Sequence, residues 1–182
     1  MRDLTDAKLV VLAATLQDKG AYTELFRRHC PALKAFLLRL AGHQADAEDL
    51  AQATFLRAFD KLPQFRAEAS FKTWLFRIGY TEFLQLQRSQ RYQERLKNDL
   101  LTEYPNSNSL SQDTAIDLEK GLAQLSDEER SAILLCDAVG FSNKDTAETM
   151  SVPLGSMKTY LRRARRKLRT HMEGERGHDG SA

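Results

Sequence analysis

The chain has 182 residues, 27 of them Lys or Arg and 25 Asp or Glu, for a net charge of +2. Hydrophobic residues make up 42% and charged residues 29%, a globular composition too apolar for a disordered chain, and no run of about 18 apolar residues is present to cross a membrane. Cys30 and Cys136 are the only cysteines, which excludes a disulfide framework or a multi-cysteine zinc site. The N-terminus, with Asp3, Asp6 and Lys8, does not read as a secretory signal, so a reducing cytoplasm is the default compartment.

The predicted elements are all helical, since apolar and polar residues never alternate over the length a strand needs. Helices are expected over about Asp6–Gln17, Ala21–Ala41, Ala47–Lys61 and Phe71–Lys97. Gly20 and Gly42 punctuate the first three, and Pro63 ends the third. On the second, Leu25, Phe26, Leu33, Phe36, Leu37 and Leu40 form a core-facing stripe. Asp46 is placed to cap the third, with Glu48 and Asp49 in its first turn, and Leu50, Phe55 and Phe59 facing inward. Residues 98–114 are polar, with Pro105 in an Asn-Ser-rich run, and read as a linker because so little apolar surface cannot offset the entropy of ordering. Shorter helices follow over about Ala115–Gln124, Asp127–Asp137, Asn143–Met150 and Leu154–Met172. Ser126 and Glu129 have capping-box spacing, and Ser142 and Asp145 repeat it with a shorter acid. The expected architecture is two small helical domains, 1–97 and 115–172, followed by a polar tail, 173–182.

The near-neutral total conceals a polarised chain. Residues 1–97 carry +5, 98–126 and 127–151 carry −4 each, 152–172 carry +7, and 173–182 carry −2. The +7 block lies in SNKDTAETMSVPLGSMKTYLRRARRKLRT, where a short helix, a turn at Ser151, Val152 and Pro153, and a longer helix make a helix-turn-helix. Leu154, Met157, Leu161, Ala164 and Leu168 form the apolar face of the longer helix. Gly155, Ser156, Lys158 and Thr159 at its start would enter a major groove. Arg162, Arg163 and Arg166 are candidates for phosphates, which give affinity without sequence choice. Solvation of Arg166, Lys167 and Arg169 is the plainer alternative.

Three further segments, DAEDLAQATFLRAF from Asp46, SFKTWLFRI from Ser70, and LSDEERSAILL from Leu125, stand in order ahead of VPLGSMKTYLRRARRKL. In combination they resemble the bacterial extracytoplasmic-function (ECF) sigma factors, across both conserved regions, two and four. The resemblance implies a chain without a catalytic site of its own that directs core RNA polymerase to promoters. It implies docking on the beta-prime clamp helices through Glu48, Asp49, Gln52 and Arg57, and a further contact with the beta flap. It implies capture of a flipped minus-ten base by the loop after Pro63, with Phe65, Arg66 and Ser70, and strand contacts from Lys72, Arg77, Arg88 and Arg91. Gly155, Ser156, Lys158, Thr159, Arg162, Arg163 and Arg166 would meet the minus-thirty-five element. An anti-sigma factor is the further partner implied, and no membrane insertion. Trp74 is read as core, with base stacking as the alternative.

The chain departs from the family pattern at Thr81, where an Asn is common, and at Gln85, where an Asp is common. Glu82 adds an anion close to where DNA should lie, and Gly79 costs about 1 kcal/mol against Ala in a helix. Either minus-ten specificity is unusual or these positions face the core or another partner. His29, Cys30 and His43 do not have metal-ligand spacing, and no cofactor is expected. Cys136 reads as a buried hydrophobe. Two other readings remain: a helix-turn-helix regulator that binds duplex DNA unaided, and a sigma-like decoy that has lost promoter melting.

Overall fold

The computed structural model describes the backbone of residues 1–98 and 113–176, and the side chains of 1–95 and 118–173. Most of the expected linker and the end of the expected tail therefore lie outside the described residues. Among the described residues there are helices and turns and no strand. The chain forms two compact units, each with four α-helices among the described residues. No helix among the described residues is long and apolar enough to cross a membrane.

The first unit contains α1 (Asp6–Thr15), α2 (Lys19–Ala41), α3 (Gln44–Lys61), a 3-10 turn (Leu62–Gln64) and α4 (Phe71–Asn98). Helix α1 is shorter than its pattern, because Gln17 takes a left-handed φ of 50° and Asp18 caps α2 through the Ala21 N–H. Gly20 does not break the chain as expected. It sits in the first turn of α2, where N–H groups have no intrahelical acceptor and a weak helix former does little harm. Pro31 stands inside α2, at an exposed position, with Leu25 and Leu33 buried on either side. Tertiary packing overrides a local preference of about 3 kcal/mol there.

Gly42 closes α2 with φ 75°, a left-handed conformation that Gly adopts without a Cβ penalty, and its N–H bonds the Leu38 carbonyl. The chain re-enters a helix at once, so α3 starts at Gln44 with His43 at the cap position. Asp46 therefore lies in the first turn of the helix and is not its cap. The core is Leu9, Leu25, Leu33, Phe36, Leu37, Phe55, Phe71, Leu75, Phe76 and Phe83, all buried. Phe36 and Phe76 meet with ring centroids 5.4 Å apart. Phe26 and Phe59, expected to face the core, do not: Phe26 is 41% and Phe59 50% exposed. Gly79 has a packing reason, since a Cβ there would stand 3.0 Å from Leu33 Cδ1 and 3.3 Å from Thr54 Oγ1.

The second unit contains α5 (Asp113–Ala123), α6 (Asp127–Ile133), a π-helical turn (Leu134–Ala138), α7 (Asn143–Met150) and α8 (Leu154–Arg176). The Ser126 and Glu129 capping box is complete in both directions. The expected helix to Asp137 passes into the π turn, which is capped at Val139 and followed by the left-handed Gly140 (φ 81°). Cys136 lies in that turn and is half-buried, not buried as expected. Its Sγ is 3.2 Å from Thr146 Oγ1. Ser142 caps α7 through the Asp145 N–H, and Ser151, left-handed at φ 55°, turns the chain into α8. Met157, Leu161 and Ala164 are buried along α8, whereas Leu154 is 43% exposed.

Candidate functional site

The first surface is a groove between α2 and α3, with a volume of about 450 Å³. Tyr22, Phe26, Phe55, Leu56 and Phe59 supply its apolar lining, and Lys34, Glu48 and Gln52 its polar edge. Positions 48, 52, 56 and 59 recur at steps of four and three, so one face of α3 presents them together. Tyr22 donates its hydroxyl to the Phe55 carbonyl, and the Phe26 and Phe55 rings meet at a tilt of 54° with centroids 4.3 Å apart. Burial, reinforced by the Asp60 charge, pushes the Tyr22 phenol up to about 12, so it stays a neutral donor. Exposed Leu56 (61%) and Phe59 make the lip of the groove apolar.

Of the four candidate docking residues, Glu48 and Gln52 line this groove and Asp49 is exposed one residue beyond Glu48. Arg57 does not line it. Its Nε lies 2.9 Å from Glu82 on α4. The apolar part of the groove was missed by sequence reasoning, although the steps from Glu48 to Phe59 carried the signal.

The second surface runs from the loop at 65–70 along α4. Phe65 is half-buried, with its ring 5.0 Å from Trp74 and 6.3 Å from Phe71. Trp74 is half-buried too, on the edge of this cluster and not in the core. Ala67 holds a left-handed φ of 55°, which for a residue with a Cβ costs of order 1–2 kcal/mol. Ser70 Oγ accepts from the Thr73 N–H at 3.0 Å, so its oxygen caps the start of α4. Arg66 is exposed, and Lys72 is half-buried with its ammonium 6.0 Å from the Phe76 ring. Arg77, Arg88 and Arg91 are exposed and recur at steps of 11 and 3, which places them on one side of α4 with Thr81. Glu82 is only 8% exposed and is paired with Arg57, so it is not an open anion on that row.

The third surface is the start and outer face of α8. Gly155 is exposed with nothing within 4 Å of its missing Cβ, and Ser156 and Thr159 are half-exposed. Lys158, Arg162, Arg163, Arg166 and Arg169 are exposed. Two other cations of α8 are committed within the unit. Arg165 meets Asp137 at 2.6 Å, and Lys167 meets the buried Glu129 at 2.6 Å. Burial pushes the Glu129 carboxyl up, but Lys167, the Ser126 N–H and the Arg163 charge outweigh it and hold it below the usual carboxylate range. Among the described residues no group of three or more His, Cys, Asp or Glu is placed to hold a metal ion.

Comparison with known proteins matches sigma-70 region 2 to residues 25–92 and sigma-70 region 4 to residues 116–168. The RNA polymerase sigma factor YlaC of Bacillus subtilis is 30% identical over 88% of this chain and 97% of its own length. The ECF RNA polymerase sigma factor SigM of Mycobacterium tuberculosis is 32% identical over 90% of this chain and 83% of its own. This chain belongs to the ECF sigma factors of the sigma-70 family.

ECF SigE of Mycolicibacterium smegmatis is 33% identical over 84% of this sigma factor, which spans 62% of that longer protein. Among solved structures, the sigma factor RpoE in complex with the anti-sigma factor NepR from Bartonella quintana matches with a TM-score of 0.71 and 31% identity, over 84% of this chain and 96% of that one. CnrH in complex with the cytosolic domain of CnrY matches at 0.72 and 26%, over 93% and 97%. The family places this sigma factor in promoter-directed transcription by RNA polymerase.

Proposed function

We propose that this sigma factor carries core RNA polymerase to promoters through three separate surfaces. The α2–α3 groove takes the beta-prime clamp helices, with Glu48, Asp49 and Gln52 as the polar contacts and Phe26, Leu56 and Phe59 as apolar anchors. The loop at 65–70 captures a flipped minus-ten base, with Phe65, Arg66 and Ser70 around it. The strained backbone at Ala67 supports this reading, because strain persists where surrounding structure over-determines it and is common at functional sites. Arg77, Arg88 and Arg91, with Lys72, hold the displaced strand by its phosphates. Helix α8 reads the minus-thirty-five major groove through Gly155, Ser156, Lys158 and Thr159, and grips the backbone through Arg162, Arg163 and Arg166. The chemistry of RNA synthesis belongs to the polymerase. The RpoE structure holds an anti-sigma factor, NepR; a partner of that kind, covering these surfaces in this cytoplasmic chain, is part of the proposal.

The observation that carries this reading is the joining of Glu48 and Gln52 with an open apolar lip in one groove, on a chain that also bears a basic helix-turn-helix. The test is run-off transcription from a random-sequence DNA pool by core polymerase with the purified chain, followed by permanganate probing of the selected promoters. Specific start sites with reactive thymines near minus ten are expected. Binding of duplex DNA by the chain alone, with no polymerase association, would favour a conventional regulator.

A further inference from the structure

Helix α3 presents two differently directed rows. Glu48, Gln52, Leu56 and Phe59 face the groove against α2. Asp46 and Arg57 face α4 instead: Arg57 Nε is 2.9 Å from Glu82 Oε1, Arg57 Nη2 is 3.5 Å from Gln85 Oε1, and Gln90 Nε2 is 3.4 Å from Asp46 Oδ2. Glu82 is the buried member of this set, and a buried carboxylate is strongly unfavourable unless paired. Arg57 therefore fixes Glu82, and Glu82 fixes Arg57.

The position of this bridge along α4 matters. Phe83 is the last buried residue among the described side chains of the helix: from Leu84 to Arg95 every side chain is half-buried or exposed. Arg88 and Arg91 stand on that outer half. Apolar packing thus anchors α4 up to Phe83, the Arg57–Glu82 bridge stands at the edge of that anchored half, and the Gln85 and Gln90 contacts tie the half beyond it to α3. We propose that Glu82 is a positioning residue for promoter opening, acting through Arg57. The bridge sets the angle of outer α4 to the docking groove, so that polymerase bound on α3 presents Arg88 and Arg91 to the separating strand. This rests on the docking and melting roles proposed above. It also gives a use to an acid for which the sequence leaves two readings.

The test uses the full chain with core polymerase on a promoter selected by the wild-type holoenzyme. Glu82→Gln, Arg57→Gln and the double variant are compared for core binding and for the rate at which minus-ten thymines become permanganate-reactive. Glu82→Gln should keep core affinity within about twofold and slow opening about tenfold. The double variant should be no slower than the slower single, because one interaction is removed once and not twice. Gln85→Ala, which alters an exposed residue and leaves no buried charge unpaired, should slow opening two- to threefold and serves if Glu82→Gln does not fold. Opening at the wild-type rate, parallel loss of docking and opening, or additive single effects would each overturn the bridge's role. A wild-type chain that docks but opens no promoter would overturn the melting reading itself, and the bridge's role with it.

Discussion

Arg28 shows how much of the first unit hangs on single guanidinium and carboxylate groups. Its Nε donates to Glu24 at 2.9 Å, its Nη1 to the Leu4 carbonyl at 2.8 Å and Asp6 at 3.0 Å, and its Nη2 to the Arg2 carbonyl at 2.8 Å. Only a planar fork with five donors meets that set, so Lys would not replace it. Glu24, 8% exposed, also accepts two bonds from Arg27. Hydrogen bonds from Arg27 and Arg28 hold its carboxyl down to about 2, against an ordinary value of 4.5. A depressed acid contributes stability that is whole above about pH 4.5 and is lost as the pH falls toward 2. Glu24→Gln should therefore be less stable than wild type at neutral pH and show a flatter loss of stability between pH 4.5 and 2. Denaturation followed by the fluorescence of Trp74, the chain's one tryptophan, reads the first unit alone. Equal pH slopes for the two proteins would dismiss Glu24 as the titrating group.

Among the elements, α8 divides its cations by task. Arg165 and Lys167 close internal pairs, and hydrogen bonding to Asp137 raises Arg165 above the usual guanidinium range. Lys158, Arg162, Arg163, Arg166 and Arg169 stay exposed. If those five meet phosphates, log affinity of a 113–176 fragment for duplex DNA should fall with log salt with a slope of about −4 to −5. Arg162→Ala should remove about one unit of slope and Arg165→Ala much less; equal effects would mean that the internal pair gives way on DNA. Helix α6 depends on its capping box, so Ser126→Ala should cost about 1 kcal/mol in chemical denaturation of the second unit. An unchanged midpoint would mean that water replaces the hydroxyl fully. Close packing of α5 on α8 is set by Gly121, whose Cβ would stand 2.9 Å from Leu168 Cδ2.

For the whole molecule, the separation of surfaces predicts separable losses. Asp49→Ala with Gln52→Ala, or Leu56→Asp alone, should weaken core polymerase binding at least tenfold. Neither should change the affinity for duplex DNA proposed for α8, since the groove belongs to the first unit and α8 to the second. Binding of labelled chain to core polymerase and to duplex DNA, measured side by side, checks this. Loss of both would point to misfolding. Charge argues in the same direction: a total of +2 with acidic stretches beside the +7 block provides little non-specific grip, so tight promoter binding is expected only with polymerase present.

The two-unit helical organisation, the Ser126–Glu129 capping box, the Ser142 cap, the helix-turn-helix and the family were legible in the sequence, because periodicity, caps and charge blocks are local properties. The same holds for Glu48 and Gln52, which a step of four places on one face of one helix. What the sequence could not decide were properties of two helices meeting. Phe26 and Phe59 satisfy a core pattern by spacing, yet the α2–α3 crossing leaves them as the lip of a groove. Asp46 has the composition of a cap, yet the left-handed turn at Gly42 starts α3 early and turns it toward Gln90. For Glu82 the sequence leaves two readings, an anion close to DNA or a residue turned to the core, and only the approach of α3, bringing Arg57 within 2.9 Å, makes it a buried tie. Local sequence determines which face a side chain shares; the crossing of helices decides what that face meets.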